Sequence, residues 1–168
     1  MNALQQWDCC PEFIDIGDAN GAIRLLKCDD LYAVRGTVSK HKLKDVKVRL
    51  TGDGISILRG TPSSQLSSDV ELLPVYAVSK DSTPAVVTER IFLRLEEETT
   101  VESIRNDIEA LDFQIDDIPA YAPHCAWLEP ASGRVDEALS KLEMLRALPR
   151  VAHAEPQLLR ARGWKGDT

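Results

Sequence analysis

Hydrophobic residues follow a regular pattern only in the second half of the chain. Four short runs there are dominated by apolar side chains, as strands are. These predicted strands are residues 90–95, 113–118, 124–128 and 151–155. Between them, apolar residues recur at intervals of three and four, which is typical of helices with one buried face. The two apolar stripes are Val101, Ile104, Ile108 and Leu111, and then Val135, Leu139, Leu142, Leu145 and Leu148. The pattern therefore predicts the order β-α-β-β-α-β.

Local residue choices mark the ends of the two predicted helices. Thr99 and Glu102 have the spacing of a capping box, in which hydroxyl and carboxylate satisfy free N–H groups of the first turn. Asp136 and Glu137 fall in the first turn of the second helix, where the helix dipole favours negative charge. Pro149 prevents that helix from continuing.

This order of elements predicts the fold class. It is the order of the ferredoxin-like plan, so we expect an α+β fold with a four-stranded antiparallel sheet and two helices on one face. The other face would stay open and could meet a partner. Residues 31–76 repeat the order in a shortened form. We therefore expect a smaller β-rich unit before the main domain, and the pattern leaves open whether it is a degenerate copy of it.

Turn-forming residues suggest where the domains divide. Gly17 to Gly21 form one turn cluster, and residues 79–84 are the best candidate for a hairpin turn or a domain boundary. The predicted division is an N-terminal arm at 1–20, a small β-rich α+β unit at 21–80, a ferredoxin-like domain at 86–162 and a C-terminal tail at 163–168.

Charge is spread unevenly along the chain. The formal net charge of −7 argues against a general nucleic-acid binder. Residues 40–49 are nevertheless basic, whereas residues 96–117 are strongly acidic. The simplest interpretation is two separately solvated faces. The alternative is a regulatory or scaffold module that binds nucleic acid or another protein through the basic 40–49 strip, which contains Lys40, His41, Lys42, Lys44, Lys47 and Arg49.

No pattern of catalytic or metal-binding residues is present in the sequence. The four cysteines lack the spacing of a zinc site or a disulfide framework, so we expect thiols in a reducing compartment. His153 and Glu155 share a strand face, but no nucleophile motif accompanies them. Phe92 and Trp127 fall on the two middle strands, without the motif of an RNA-binding domain. We therefore predict no enzyme activity, no cofactor and no metal.

Targeting segments are also missing from the sequence. No apolar run reaches the ~18 residues that a membrane-spanning helix requires, and the first residues lack the pattern of a signal peptide. The expectation is a cytoplasmic protein with no membrane partner.

Two segments of the second half resemble a known family. An apolar strand at residues 90–95 is followed by an acidic amphipathic helix, and the chain then reaches Leu148-Pro149-Arg150-Val151-Ala152-His153-Ala154-Glu155-Pro156. These features resemble the pro-regions of subtilisin-like serine peptidases, the subtilases. The match covers residues 88–162, and its closing segment is the specific part.

The resemblance implies a function and a binding segment. A pro-region packs the open face of its sheet on the peptidase and passes its C-terminal tail through the substrate cleft, as folding chaperone and inhibitor. The binding mode of such a tail is β-augmentation. The implied partner-binding residues are Glu155, Pro156, Gln157, Leu158, Leu159, Arg160, Ala161 and Arg162. No catalytic Asp/His/Ser set is present, so we expect either an excised pro-region, acting in cis, or a free-standing partner of a subtilase, acting in trans.

Overall fold

The structure is a computed structural model that describes residues 2–17, 21–36, 54–62 and 70–160, together with the backbone of residues 46–50. It divides into two compact units. The first takes in the described parts of residues 1–16, 22–88 and 158–168. The second takes in the described parts of residues 17–21 and 89–157.

In its described residues, the first unit is an antiparallel β-structure with one short helix. Its elements are α1 (Ala3–Asp8), β1 (Phe13–Ile16), β2 (Ile23–Arg35), β3 (Val46–Leu50), β4 (Ile55–Arg59), β5 (Glu71–Ala77) and the start of β6 (Ala85–Leu95). Hydrogen bonds place the strands in the order β3-β4-β2-β5-β6, with β1 also beside β2. β2 is long enough to pair with β1, β4 and β5, and it bulges against β5 between Lys27 and Tyr32.

Helix α1 fixes the N-terminal residues to the first unit. Asn2 and Gln5 form a capping box, each side chain accepting a hydrogen bond of 2.9 Å from the other residue's backbone N–H. Trp7 is buried with Tyr32, Leu58 and other apolar residues of the strands. The helix is therefore held by an aromatic anchor as well as by its cap.

The second unit contains the remaining strands and helices. They are the rest of β6, a 3-10 turn (Val101–Ile104), α2 (Arg105–Ala110), β7 (Phe113–Asp117), β8 (Cys125–Pro130), α3 (Val135–Ser140), α4 (Leu142–Arg146) and β9 (Val151–Leu159), whose last two residues are counted in the first unit. β6 pairs with β8 and β9, and β7 pairs with β8. Most residues of the predicted apolar stripes enter one core, where Val101, Ile108 and Leu145 pack with Ile91 and Leu93.

The predicted fold class is wrong. A ferredoxin-like β-α-β-β-α-β sheet with two helices on one face, preceded by a degenerate copy, does not describe this β-rich structure, in which more than twice as many of the described residues lie in strands as in helices. β6 pairs with β5 as well as with β8 and β9. It therefore has three strand partners, whereas the first strand of the predicted fold has two. Residues 46–50, where the predicted copy could hold a helix, form β3. Local periodicity cannot show how far a sheet extends, because its hydrogen bonds join residues distant in sequence.

Both predicted helices also differ from expectation in detail. The first begins as a 3-10 turn at Val101, where the N-cap residue Thr100 makes no side-chain hydrogen bond, and Glu102 pairs with Arg105 instead of Thr99. The second is interrupted at Lys141, the residue between α3 and α4. The Lys141 ammonium donates to Glu137 at 2.9 Å and to Asp112 at 3.0 Å. The spacing of the apolar residues cannot predict such contacts between polar side chains.

Candidate functional site

Two aromatic side chains lie together on one face of the strands of the second unit. Phe92 on β6 is the direct cross-strand neighbour of Trp127 on β8. Their ring centroids are 5.3 Å apart, with planes tilted by 59°, a geometry in the favourable range for aromatic pairs. Ile91 and Leu93, on either side of Phe92, are fully buried in the core. Because successive side chains alternate between faces, the pair lies on the face away from that core.

Arg90 completes this aromatic cluster. It lies two residues before Phe92, and its guanidinium carbon is 4.6 Å from the centroid of the Trp127 ring. Its Nη2 donates to Asp116 at 2.8 Å, and its Nε is 3.8 Å from a carboxylate oxygen of Glu129. A guanidinium stacked on one side and paired on the other is fixed in orientation. We call Arg90, Phe92 and Trp127 the aromatic face.

A second polar group lies on β9. His153 Nε2 is 3.3 Å from Glu155 Oε2, which confirms the prediction that these residues share a strand face. Glu155 Oε1 also accepts a hydrogen bond from the backbone N–H of Gly17. The intervening Ala154 is buried in the core. Both carboxylate oxygens of Glu155 are thus engaged within its own unit, one by His153 and the other by the backbone N–H of Gly17.

The remaining residues of the implied partner-binding segment extend along β9. Pro156 is buried, whereas Gln157, Leu158 and Leu159 are half-buried. All four belong to the strand, which pairs with β6. Arg160 follows the end of the strand and is exposed, while Ala161 and Arg162 lie outside the described residues. The structure therefore places Leu158 and Leu159 in an extended conformation as part of a sheet.

The basic strip of the alternative interpretation has no described side-chain geometry. Residues 40–45 lie outside the described part of the chain, and residues 46–49 are described only as backbone of β3. On the aromatic face, carboxylates of Asp116 and Glu129 flank Arg90. Carboxylates beside stacked rings repel phosphate, so these two residues disfavour nucleic-acid binding next to Arg90.

Two buried side chains carry reactive groups, and their surroundings raise the pKa of each. Burial raises the pKa of the Cys125 thiol, with a smaller opposing effect from Arg94, so its reactive thiolate form is disfavoured. Burial is also the main cause that raises the pKa of Tyr76 above its usual value, followed by the nearby Cys10 and Glu12. In the described ranges, no three His, Cys, Asp or Glu side chains are grouped as ligands for a metal ion.

A pocket of about 420 Å³ lies in the first unit. The bulged segment of β2 forms one side of it, and the turn after β5 forms the other. Its lining includes two carboxylates and one exposed ammonium, from Asp29, Asp30 and Lys80. Apolar residues such as Leu26 and Pro84 provide the rest. Its size would admit a side chain or a small ligand, but its charges favour no single class.

Sequence reasoning found the two aromatic residues but missed their charged partners. The antiparallel order of the middle strands was predicted, and an explicit register would have brought Arg90 next to Glu129. The pairing Ile91↔Leu128 sets these two residues side by side. Asp116 required the register of β7 as well, which shifts between Ile115 and Asp117.

No helix within the described residues has both the length and the apolar character needed to cross a bilayer.

Comparison with known proteins finds no relative of this chain. No protein-family model, curated protein or solved structure matches this chain.

Proposed function

We propose that the second unit is a non-catalytic protein-binding module that packs its aromatic face on a subtilisin-like serine peptidase. The observation that carries the proposal is the rigid group of Arg90, Phe92 and Trp127 on the face away from the core. A few residues supply most of the binding energy at protein interfaces, and aromatic residues such as tryptophan, together with arginine, are enriched among them. The subtilase-like segments at residues 90–95 and 148–156 supply the identity of the partner.

The C-terminal segment would supply the inhibitory contact. Leu158 and Leu159 are held in β9, and Arg160 is the first residue beyond the strand. An extended segment that leaves a strand can add itself to the edge of another sheet, with main-chain hydrogen bonds providing affinity. In this proposal the residues from Arg160 onward enter the peptidase cleft, while the aromatic face holds the module in place. The module acts as chaperone and inhibitor, in cis or in trans.

The cysteines support a compartment for this action. Among the described residues, Cys9, Cys10, Cys28 and Cys125 form no disulfide with one another. Cysteines remain without disulfides in reducing compartments, so we propose that the protein acts in the cytoplasm.

An inhibition experiment tests the proposal. The purified chain is titrated against a panel of purified subtilisin-like peptidases, with cleavage of a chromogenic peptide as the readout. Trp127→Ala should raise the inhibition constant by about tenfold or more, because hot-spot truncations cost at least about 1–2 kcal/mol. Met144→Ala is the matched control, because Met144 is an exposed apolar residue on α4.

Two results would contradict the proposal. The first is that the unaltered chain neither inhibits any peptidase of the panel nor assists refolding of a denatured one. The second is that Trp127→Ala and Met144→Ala inhibit as well as the unaltered chain does. Thermal unfolding of each variant separates loss of binding from loss of fold. Deleting residues 161–168 should weaken inhibition and leave direct binding through the aromatic face measurable by calorimetry.

A further inference from the structure

The pocket of the first unit lies where β2 carries more residues than the strand beside it. Lys27 and Tyr32 pair with two residues of β5 that are separated by Val75 alone. Residues 28–31 therefore lie opposite this one residue, and β2 has to bulge away from β5. A bulge interrupts the hydrogen bonds between two strands, and bulges are over-represented beside active sites, where they redirect side chains. The bulge supplies one side of the pocket.

Backbone hydrogen bonds hold both sides of the pocket. On the bulge, the Asp30 carbonyl accepts a hydrogen bond of 2.7 Å from Gly60 N–H. In the turn after β5, the Ser82 hydroxyl accepts from Ser79 N–H at 2.9 Å and donates to the Ser79 carbonyl at 2.8 Å. The backbone that carries the lining side chains is thus ordered without a ligand. A preformed pocket binds its ligand with little loss of backbone entropy.

Three charged side chains of the lining are available to a ligand. In the part of the chain that the structure describes, Asp29, Asp30 and Lys80 form no hydrogen bond or ion pair through their side chains. Lys27 differs from them, because it is buried and its ammonium donates to the Trp7 carbonyl at 2.7 Å. The available charges therefore belong to opposite sides of the pocket, with two carboxylates on the bulge and one ammonium on the turn.

The uncharged part of the lining is largely apolar. Leu31, Ala77 and Pro84 are buried, whereas the Leu26 side chain is 50% exposed. A ligand that covered Leu26 would remove apolar surface from water, which favours binding. The volume of about 420 Å³ lies within the range of small-molecule sites.

We propose that this pocket binds a free α-amino acid with an apolar side chain. The α-ammonium group would pair with Asp29 and Asp30, and the α-carboxylate would pair with Lys80. The apolar side chain of the ligand would cover Leu26. A ligand with only a positive charge would leave Lys80 without a partner, and one with only a negative charge would face two carboxylates. A zwitterion matches both sides of the pocket, and its binding requires no peptidase.

Isothermal titration calorimetry on the unaltered chain tests the ligand class. L-Leucine, L-methionine and L-phenylalanine should bind, and each should raise the melting temperature as its concentration rises. N-acetyl-L-leucine lacks the positive charge and L-leucinamide lacks the negative charge. Each of these two analogues should bind at least about tenfold more weakly than L-leucine, because one charged hydrogen-bonding partner is lost. L-Lysine and L-glutamate, whose side chains are charged, should also bind more weakly.

Substitutions in the lining test the location of the site. The double variant Asp29→Asn/Asp30→Asn, and separately Lys80→Gln, should raise the dissociation constant for L-leucine by at least about tenfold. Neither should change the melting temperature of the ligand-free chain, because these side chains are exposed and have no partner among the described residues. Asp81→Asn is the matched control, since Asp81 is an exposed carboxylate of the same turn outside the pocket lining. It should leave both quantities unchanged.

Three results would overturn the inference. The first is that none of the three apolar amino acids binds at about 10 mM. The second is that N-acetyl-L-leucine or L-leucinamide binds as tightly as L-leucine, because a ligand with one charge would then be sufficient. The third is that the lining variants bind L-leucine as tightly as the Asp81→Asn control does. If the double variant unfolds at a lower temperature, Lys80→Gln and the two analogues still decide the outcome.

Discussion

Lys27 offers a quantitative test of how the N-terminal helix is held. Its side chain is only 9% exposed, and its ammonium lies 2.7 Å from the Trp7 carbonyl oxygen and 4.0 Å from the centroid of the Trp7 ring. The carbonyl also accepts a hydrogen bond of 3.2 Å from Cys10 N–H. Lys27 therefore makes two separable contacts with Trp7, one with the backbone and one with the indole.

The magnitudes of these contacts can be worked out from the geometry. A hydrogen bond from a charged donor contributes about 1.5–3 kcal/mol, and a cation over an indole adds about 0.5–2 kcal/mol. Removing the charge also removes the free-energy cost of burying the ammonium, and this gain partly offsets the loss of the two contacts. We expect Lys27→Met to lower the free energy of unfolding by about 1–3 kcal/mol. Lys80→Met, at an exposed lysine of the same unit, should change it by less than about 0.5 kcal/mol.

A double-mutant cycle isolates the contact with the ring. Trp7→Leu removes the indole but keeps the backbone carbonyl, so the coupling between Trp7→Leu and Lys27→Met reports the cation–ring contact alone. We expect a coupling energy of about 1 kcal/mol. Urea unfolding followed by far-ultraviolet circular dichroism measures it without relying on tryptophan emission. A coupling below about 0.3 kcal/mol, or a Lys27→Met variant more stable than the unaltered chain, would refute the reasoning.

Three further predictions concern stability. Leu145→Ala should lower the free energy of unfolding by about 2–5 kcal/mol in urea titrations, because the side chain is fully buried, and a loss below about 1 kcal/mol would contradict its place in the core. Tyr76→Phe should lower the free energy of unfolding by about 1–2 kcal/mol in the same assay, because the backbone carbonyl that accepts a hydrogen bond of 2.6 Å from the Tyr76 hydroxyl would lose its donor. An unchanged stability would show that water replaces the hydroxyl. Hydrogen bonds from Ser132 and then Lys141 lower the pKa of Glu137, so this carboxylate stabilises the fold above its unfolded pKa and the contribution is lost as the pH falls through the folded value. Glu137→Gln should therefore be less stable than the unaltered chain by under about 1 kcal/mol at neutral pH, and the difference should disappear as the pH falls through the lowered pKa of Glu137; a difference independent of pH would contradict this assignment.

The sequence by itself determined the local elements of the second unit. The apolar stripes that end at Leu111 and Leu148 were visible as intervals of three and four, and most of their residues enter the core as expected. Phe92 and Trp127 also fall within two of the predicted strands, whereas their cross-strand pairing was decided by the register of β6 with β8. These features depend on periods of a few residues, which each segment carries independently of the rest of the chain.

Only the tertiary structure decided how these elements combine. The length of β6 and its pairing with β5 depend on hydrogen bonds to residues that are not adjacent in sequence. The same holds for the break at Lys141, which bonds Asp112 from 29 residues away, and for Arg90, whose partners lie on β7 and β8. An ion pair between a side chain and a carboxylate distant in sequence does not produce a periodic pattern, so it cannot be predicted from periodicity. The period of a segment fixes which face is buried, whereas the fold class and the chemistry of the aromatic face follow from which strands become neighbours.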